Sequence, residues 1–322
     1  MNRVLVTGAS GFVGGHLSMG LAAAGWQVRA AVRRSLRQQS SAPPCEERLI
    51  ETIGPDTDWS PVLRGVETVV HLAGRSAVPD TSADRALAAF RSVNVEGTRR
   101  LARACVQSGV RRILFLSSIR AVGERTEVGR PFSEDSPCRP SDPYGISKLE
   151  AEQALLAEVR GSSVEAVILR SPLVYGPGVG GNFLRLMRAI DRRIPLPLGR
   201  VDNKRSLVFI HNLTSGILHC LAHPLSAGQI LHIADAGAFS TPELLKALGA
   251  MLGRRVLLLP VPSEVLRGAG RLLGRADEIR RLTDSLEMTT DKIRKLLGWT
   301  PPSATREGLE AVASWYRAAV NL

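Results

Sequence analysis

The sequence predicts an α/β protein: a doubly wound parallel sheet of about seven strands, together with a smaller, mostly helical C-terminal lobe. Three observations favour this fold class. A glycine-rich turn separates the first β-rich run from the first helical pattern, β-rich runs then alternate with helical segments up to residue 170, and helical patterns dominate afterwards. We therefore expect a dinucleotide-binding domain over residues 1–170, completed by strands near 206–234, and a substrate-binding lobe over residues 171–322.

The composition is that of an ordinary globular protein, with 44% hydrophobic and 22% charged residues among 322. The formal net charge of +12 either reflects surface composition or attracts anionic ligands such as nucleotides and diphosphates. Nucleic acid is not expected as a partner, because the basic residues are scattered along the chain and only 4% of the residues are aromatic.

The cysteines and the lengths of the apolar runs indicate the cellular compartment of the protein. The four cysteines show no paired spacing of the kind that holds a metal, so we interpret them as free thiols of a reducing compartment and expect no metal site. The sequence has no run of 18 apolar residues and begins directly with a strand pattern. These features favour a cytoplasmic protein without a membrane span.

The first strand and the turn after it predict a nucleotide site. Residues 3–7 form a short β-rich run, and glycines at positions 8, 11 and 14 follow it before the apolar pattern of a helix. In such a turn one glycine permits the bend, one lets the backbone approach a pyrophosphate, and one allows close packing of helix on strand. The pyrophosphate then lies at the helix N-terminus, where free N–H groups and the helix dipole favour an anion. The residues expected to contact the cofactor here are Gly8, Ser10, Gly11, Phe12 and Val13.

The end of the predicted second strand, at residues 27–32, bears on the choice of cofactor. A site for NAD usually places Asp or Glu there, on the ribose hydroxyls, whereas this chain has Arg33 and Arg34. An arginine at this point accommodates the 2′-phosphate of NADP, and two solvated surface arginines are the alternative interpretation. NADP(H) is therefore favoured as the cofactor, with NAD(H) as the alternative.

Small residues at the end of the predicted fourth strand, residues 66–73, indicate the edge at which a ligand binds, since ligands in open α/β sheets lie outside the carboxyl ends of the strands. His71, inside this apolar run, is interpreted as a structural histidine. Asn94, in a helix predicted over residues 84–108, either lies near the nicotinamide or bonds to a neighbouring backbone group. The residues that leave room for the cofactor at this edge are Leu72, Ala73 and Gly74.

The predicted fifth strand, residues 111–118, ends at a serine pair, and a tyrosine and a lysine follow at the start of a helix. Tyr144 and Lys148 lie four residues apart, which places both side chains on one face of a helix. A phenol has a pKa near 10 and a nearby cation lowers it, so Lys148 is expected to lower the pKa of Tyr144. Tyr144 then exchanges a proton at a carbonyl or hydroxyl carbon, with Ser118 as a second hydrogen-bond partner of the same oxygen. This is the chemistry of hydride transfer beside a nicotinamide.

Together these segments resemble the extended short-chain dehydrogenase/reductases, in the branch of nucleotide-sugar epimerases, dehydratases and reductases. The resemblance implies a Rossmann sheet, a UDP-sugar substrate, and an NAD(P) cofactor contacted by Asn94, Tyr144 and Lys148. In that family the catalytic hydroxyl stands five residues before a glycine, here Gly123, which selects Ser118 over Ser117. The matching motifs span nearly the whole chain in the expected order: Thr7-Gly-Ala-Ser-Gly-Phe-Val-Gly14, His71-Leu-Ala73, Asn94-Val-Glu-Gly-Thr98, Ser117-Ser118, Tyr144-x3-Lys148, Val174-Tyr-Gly-Pro177 and Leu297-Gly-Trp-Thr-Pro301.

Three chemistries of this branch are distinguished by residues near the motifs. The 4,6-dehydratases carry an Asp-Glu pair directly after the catalytic hydroxyl, whereas this chain has Ile119-Arg120, which argues against dehydration. The 4-epimerases keep one NAD bound and usually have an acid after the second strand, from which Arg33 departs. Residues 118–123, 131–134 and 202–206 resemble the reductases that act on UDP-4-keto-6-deoxy-N-acetylhexosamines.

The expected reaction is therefore the NAD(P)H-dependent reduction of the 4-keto group of a UDP-4-keto-6-deoxy-hexosamine, in the biosynthesis of surface polysaccharide sugars. UDP-sugar 4-epimerisation is the alternative within the same chemistry. A non-catalytic regulator that senses NADP is the second alternative, and the Tyr144–Lys148 pair argues against it because such proteins commonly lack it.

The second half of the chain supplies the expected substrate contacts. By resemblance Asn182 contacts the nucleotide-diphosphate end of the substrate, and a helix N-cap is the alternative role. Arg205 stands before a strand predicted at residues 206–210, where the family places a diphosphate-binding arginine, and a guanidinium donates two parallel bonds to phosphate oxygens. The sequence does not single out the residue that completes this site, with Arg281 or a neighbour as the candidate. The resemblance also implies a homodimer formed through the helices at residues 84–108 and 144–158.

Overall fold

The computed structural model describes residues 3–35, 45–78 and 82–320. Its strands in this part of the chain are β1 (Arg3–Thr7), β2 (Gln27–Val32), β3 (Glu46–Leu49), β4 (Thr68–His71), β5 (Arg112–Ser118), β6 (Glu165–Ser171), β7 (Leu173–Tyr175), β8 (Leu207–Phe209) and β9 (Ile230–His232). Seven of these described strands form one sheet in the order β3-β2-β1-β4-β5-β6-β9, and all neighbours in it are parallel. The strand order reverses between β1 and β4, which confirms the predicted doubly wound parallel sheet.

Helices connect and cover the strands. Over the described ranges they are α1 (Phe12–Ala23), α2 (Ser60–Leu63), α3 (Ala83–Phe90), α4 (Gly97–Gln107), α5 (Pro143–Val159), α6 (Gly181–Asp191), α7 (Ile210–Ala222), α8 (Thr241–Leu252), α9 (Ser263–Leu272), α10 (Ala276–Thr283), α11 (Asp291–Leu297) and α12 (Thr305–Val320). The helices after β9 give the C-terminal half its mostly helical character. In the described residues, none of these helices is both long enough and apolar enough to cross a membrane.

The central sheet is buried on both faces, as the nearly continuous apolar runs of its strands require. Successive side chains of a strand point to opposite faces, so Val4 and Val6 join one apolar core while Leu5 joins the other. Helices α1 and α7 cover the first face with side chains such as Leu17 and Leu213. Helices α4 and α5 cover the second face, so the helix that carries Tyr144 is fixed directly against β5 and β6.

The strand expected near residue 206 takes a different place from the one predicted. Strand β8 pairs in parallel with β7 in a separate two-stranded sheet, and β9 completes the main sheet beside β6. The register of this small sheet joins Leu173 to Leu207 and Tyr175 to Phe209, which holds the segment after β6 against the C-terminal half. The division of the chain into domains at residue 170 stays a prediction.

Two further elements differ from their predicted bounds. The sequence pattern predicts a third strand over residues 48–53. In the structure this strand comprises Glu46–Leu49, because its register is set by pairing with β2 from Arg29 to Val32. The helix predicted over residues 84–108 contains a π-helical segment at Arg91–Glu96 between α3 and α4. Such wide turns occur mostly at functional sites, and this one contains Asn94.

Candidate active site

The glycine turn between β1 and α1 lies against the end of β4. Gly8 has a φ of +72°, and a Cβ added there would lie 2.9 Å from the backbone nitrogen of Ala73. A Cβ on Gly14 would lie 2.1 Å from the carbonyl oxygen of Gly8, so α1 packs closely on the turn. Gly11 is the N-cap of α1, and no side chain among the described residues caps that helix start. The turn therefore offers free N–H groups and a cradle that fit a pyrophosphate.

A buried chain of hydrogen bonds fixes the backbone at the end of β4. The Thr98 hydroxyl donates to the carbonyl oxygen of Asn94 (2.6 Å), so its oxygen is left to accept from Nε2 of His71 (3.0 Å). Nδ1 of His71 then accepts from the Thr7 hydroxyl (2.7 Å), whose oxygen accepts from the Ala73 amide (3.2 Å). Burial lowers the pKa of His71 to about 3, so the ring is neutral, as this chain of donors requires. His71 is thus a structural histidine.

Asn94 links the loop after β4 to helix α5. Its side chain accepts from the Arg75 amide (2.7 Å), and its Nδ2 donates to the Arg75 carbonyl (3.0 Å) and to the Ser147 hydroxyl (3.0 Å). The Ser147 hydroxyl in turn donates to the carbonyl of Tyr144 (2.8 Å). Of the two interpretations of Asn94 from the sequence, bonding to a backbone group is the one seen, and it orders the loop after β4. Gly74 belongs to this contact, since a Cβ there would lie 3.1 Å from Asn94 Oδ1.

The structure brings Ser118 and Tyr144 together. Ser118 ends β5, and Tyr144 is the second residue of α5, whose N-cap carboxylate, Asp142, accepts from the amides of Tyr144 (3.0 Å) and Gly145 (3.1 Å). The Ser118 hydroxyl lies close enough to the Tyr144 phenol to lower its pKa. The edge of the Phe90 ring lies against the tyrosine, with 5.8 Å between ring centroids. Two hydroxyls therefore converge at the carboxyl edge of the sheet, beside the loop after β4.

The electrostatic environment of Tyr144 differs from the one predicted. Burial raises the pKa of Tyr144, and the Arg120 guanidinium and the Ser118 hydroxyl oppose that rise, whereas the Asp142 carboxylate adds to it. Lys148 is not among the described groups that shift this pKa here, so a lowering of the phenol pKa by Lys148 stays a prediction. The cation beside the phenol is Arg120, with its guanidinium carbon 5.8 Å from the ring centroid and its Nη2 3.0 Å from the Asp142 carboxylate.

Lys148 lies one turn below Tyr144 and is turned into the protein. Its Nζ donates to the carbonyl of Leu116 (2.8 Å) and lies 3.9 Å from the centroid of the Phe115 ring. Burial lowers the pKa of Lys148 to about 7, and the carboxylate of Glu152 opposes that change. The ammonium is thus held by β5, next to the strand end that carries Ser118.

A buried ion pair beneath these residues was missed from the sequence. Glu152 lies 2.7 Å from Arg170, with their side chains 2% and 3% exposed, and also accepts from the Ser117 hydroxyl. Two signals could have found it. Glu152 follows Lys148 by four residues and therefore shares its helix face, and Arg170 is a charge inside an otherwise apolar strand, which requires a buried partner.

Arg205 belongs to a positively charged group with Arg120 and Arg281. Its Nη1 donates to the carbonyl of Asp284 (2.9 Å). Burial, and then the positive charges of Arg120 and Arg281, lower the pKa of Arg205 to about 10. Arg120, which follows Ser118 by two residues, thus acts electrostatically on both the phenol and Arg205. From the sequence alone, the residues after Ser118 indicated only that the acids of a dehydratase are missing.

The remaining predicted site residues lie apart from these contacts. Asn182 is in the first turn of α6, whose N-cap is Gly180, so the N-cap alternative was wrong. Its Oδ1 accepts from Arg185, 3.4 Å away. Ser10 and Arg33 are exposed, and Phe12 packs edge-on against the ring of His16. At the sheet edge, Val13 and Leu72 are partly buried and Gly74 is exposed.

Comparisons with known proteins agree with this geometry. Residues 4–234 match the model of the NAD-dependent epimerase/dehydratase family. A UDP-glucose 4-epimerase of Vibrio cholerae is 39% identical over 99% of this chain and 96% of its own, and a GDP-6-deoxy-D-mannose reductase of Pseudomonas aeruginosa is 26% identical over 99% and 98%. The solved structure of MoeE5 in complex with UDP-glucose and NAD superposes with a TM-score of 0.80, at 28% identity and with 99% and 100% of the two chains covered. The chain therefore belongs to the NAD-dependent epimerase/dehydratase family, as an enzyme of its nucleotide-sugar epimerase/reductase group.

Proposed function

We propose that this protein reduces the 4-keto group of a UDP-4-keto-6-deoxy-hexosamine with NAD(P)H, in the biosynthesis of surface polysaccharide sugars in the cytoplasm. The observation that carries the proposal is the convergence of the Ser118 and Tyr144 hydroxyls at the carboxyl end of β5, where Ser118 is close enough to lower the pKa of the phenol. The glycine turn at Gly8 and the loop at Ala73 lie at the same edge of the sheet, with the space and free N–H groups that a dinucleotide needs.

In this proposal the side chains act on one oxygen atom, the one at C4 of the sugar. The bound nicotinamide supplies the hydride for the carbonyl carbon. The Tyr144 hydroxyl gives its proton to the oxygen at C4 as negative charge develops there, and the Ser118 hydroxyl donates a second hydrogen bond to that oxygen. Lys148, held by the Leu116 carbonyl, is proposed to hold the cofactor ribose, and Asn94 fixes the loop after β4 against which the cofactor would lie.

The diphosphate of the substrate is assigned to the arginine group around Arg205. Arg120 and Arg281 act on Arg205 as like charges, and a bound diphosphate would relieve that repulsion. Guanidinium groups suit this task because they donate paired hydrogen bonds to phosphate oxygens. Asn182, in the first turn of α6, is proposed to contact the nucleotide end of the same substrate.

A 4-epimerase is the second candidate, and the 39% identical UDP-glucose 4-epimerase of Vibrio cholerae favours it. Net reduction is preferred for two reasons. Arg33 is an exposed cation at the end of β2, where a 2′-phosphate binds in NADP-dependent members of this fold. The Pseudomonas relative, whose name is that of a reductase, matches along the same length of chain.

The experiment that tests the proposal follows nicotinamide absorbance with a UDP-4-keto-6-deoxy-hexosamine and NADPH or NADH. We expect one cofactor to be oxidised per sugar, with NADPH the faster. Arg33→Gln is expected to lower kcat/KM with NADPH by roughly tenfold or more and to change kcat/KM with NADH little, since one charge-assisted hydrogen bond is lost. Interconversion of UDP-GlcNAc and UDP-GalNAc without added cofactor, and no net oxidation, would instead establish the epimerase.

The position of Arg120 leads to a prediction about pH. Arg120→Gln is expected to move the pH limb that Tyr144 governs to higher pH, because removing a nearby cation raises the pKa of the phenol further. The measurement is kcat/KM against pH for oxidation of the 4-hydroxy sugar. Deprotonated Tyr144 is the base in this direction, so kcat/KM falls at pH values below the pKa of the phenol. Ser118 and Asp142, the other groups facing the phenol, are unchanged in this variant. Arg120→Lys keeps the cation and should restore the profile, and an unshifted limb in Arg120→Gln would contradict the role.

A homodimer through the helices at residues 84–108 and 144–158 remains part of the proposal. Helices α4 and α5 pack side by side, and exposed ion pairs such as Arg103 with Glu158 (2.8 Å) join them. A groove of about 380 Å³ lies on this surface, with Val95, Ala154 and Ala157 among its lining residues. Small apolar side chains in such a groove permit close approach of a second copy.

A further inference from the structure

Helix α9 is apolar on the face that points away from the protein. Its inner face carries Leu266 and Gly270, which are buried, and a Cβ on Gly270 would lie 2.7 Å from Ile279 of α10. On the opposite face Val265 and Leu272, seven residues apart, are 58% and 90% exposed. A surface helix usually presents polar residues to water, so this exposed apolar stripe, which lies beside the exposed Glu264 and Arg271, departs from the expected pattern.

The apolar surface continues past the end of the helix and is bordered by arginines. Leu273 is 74% exposed directly after α9, and the sequence from Val265 to Ala276 contains no acidic residue. Arg271 and Arg275 are exposed, and within the described ranges neither forms an ion pair.

The acidic residues around this stretch do not neutralise those two cations. Asp284 pairs with Arg267 (2.9 Å), and Asp277 lies 3.8 Å from Arg280. Glu278 lies 3.6 Å from Arg185 of α6, and Glu264, at the first turn of α9, precedes the basic stretch. The outer face of α9 with Leu273, Arg271 and Arg275, called here the α9 surface, is therefore apolar at its centre and positive at its edge.

We propose that the α9 surface docks on the anionic face of a lipid bilayer. Leucine side chains at the centre enter the boundary between headgroups and acyl chains, and the arginines remain at the level of the lipid phosphates. The charge pattern favours this partner over a second copy of the chain, because a symmetric contact of two such surfaces would bring the same unpaired arginines together. A net charge of +12 attracts the protein to the same partner at longer range.

The α9 surface is connected to the substrate side of the candidate active site. Arg267 of α9 donates to the Asp284 carboxylate (2.9 Å), and the carbonyl of Asp284 accepts from Arg205 (2.9 Å). Docking through α9 would therefore place the arginine group that is proposed to bind diphosphate close to the bilayer.

The test is flotation of the full-length protein with vesicles. Vesicles of phosphatidylcholine that contain phosphatidylglycerol are compared with vesicles of phosphatidylcholine alone, at low and at high salt. We expect binding to the anionic vesicles that weakens as salt is added. Leu272→Ser with Leu273→Ser should reduce this binding roughly tenfold or more. Arg271→Gln with Arg275→Gln should reduce it about fivefold for each arginine and should remove the preference for phosphatidylglycerol.

The matched control replaces two exposed apolar residues elsewhere, Leu49→Ser and Leu225→Ser, which lie in β3 and in the turn after α7. This variant should bind vesicles as the wild type does. The proposal is overturned if the wild type stays unbound on anionic vesicles, or if the leucine variant binds as tightly as the control. It is equally overturned if the leucine variant differs from the wild type only in the mass of its assembly in solution, which would assign the surface to a second copy.

Discussion

Tyr144→Phe is expected to lower kcat for reduction of the 4-keto sugar by about 10²- to 10⁴-fold, the usual contribution of a positioned general acid. The variant keeps the aromatic ring that packs against Phe90 and loses only the hydroxyl that faces Ser118. The fold should therefore stay intact, with a stability loss of no more than about 1 kcal/mol. The measurement is single-turnover reduction, accompanied by far-ultraviolet circular dichroism.

Tyr316→Phe is the matched control for this change. Tyr316 is buried, and its hydroxyl donates to the Asp191 carboxylate (3.3 Å) near the C-terminus, away from β5. Removing that hydroxyl should leave kcat within about twofold of the wild type, because no group of the candidate site is touched. Full activity in a folded Tyr144→Phe protein would remove the basis for the proposed proton transfer.

Arg170→Met is expected to destabilise the fold by about 3–5 kcal/mol, the usual cost of leaving one member of a buried ion pair alone. The Glu152 carboxylate is 2% exposed, and the Arg170 side chain is itself 3% exposed, so water does not replace the lost guanidinium. Urea denaturation at neutral pH measures the change in the free energy of unfolding. The loss should also reduce activity, because Glu152 lies one turn from Lys148 and next to the strand that carries Ser118.

A second variant distinguishes the effect of the unpaired charge on stability from the effect of the lost side-chain packing. Glu152→Gln combined with Arg170→Met removes the unpaired charge, and its destabilisation should be clearly smaller than the sum of the two single changes. The exposed pair of Arg306 with Glu310 (3.1 Å, side chains 80% and 50% exposed) provides the comparison, since Arg306→Met should cost less than about 1 kcal/mol. Equal losses of stability for Arg170→Met and Arg306→Met would show that the buried ion pair stabilises the fold no more than an exposed one.

The sequence by itself determined the parallel sheet and the positions of its main strands along the chain. Apolar runs such as residues 3–7 and 111–118 are local patterns. Gly8 is required by its φ of +72°, and Gly14 is required because a Cβ there would lie 2.1 Å from the Gly8 carbonyl oxygen. The hydroxyl pair was also predictable, because the ends of parallel strands meet at one edge of a sheet, where the helix that begins at Pro143 places Tyr144. The roles of the predicted site residues stay predictions until the variants are measured.

Only the tertiary structure decided which charges act on which groups. Lys148 is one turn from Tyr144 in the sequence pattern, yet the structure directs its ammonium to the Leu116 carbonyl and places Arg120 beside the phenol. The pairing of β8 with β7 and the ion pair of Glu152 with Arg170 likewise join segments that are distant in the chain. Electrostatic effects depend on distance and burial within a few ångströms, and side-chain direction sets both, whereas spacing along the chain fixes only the helix face.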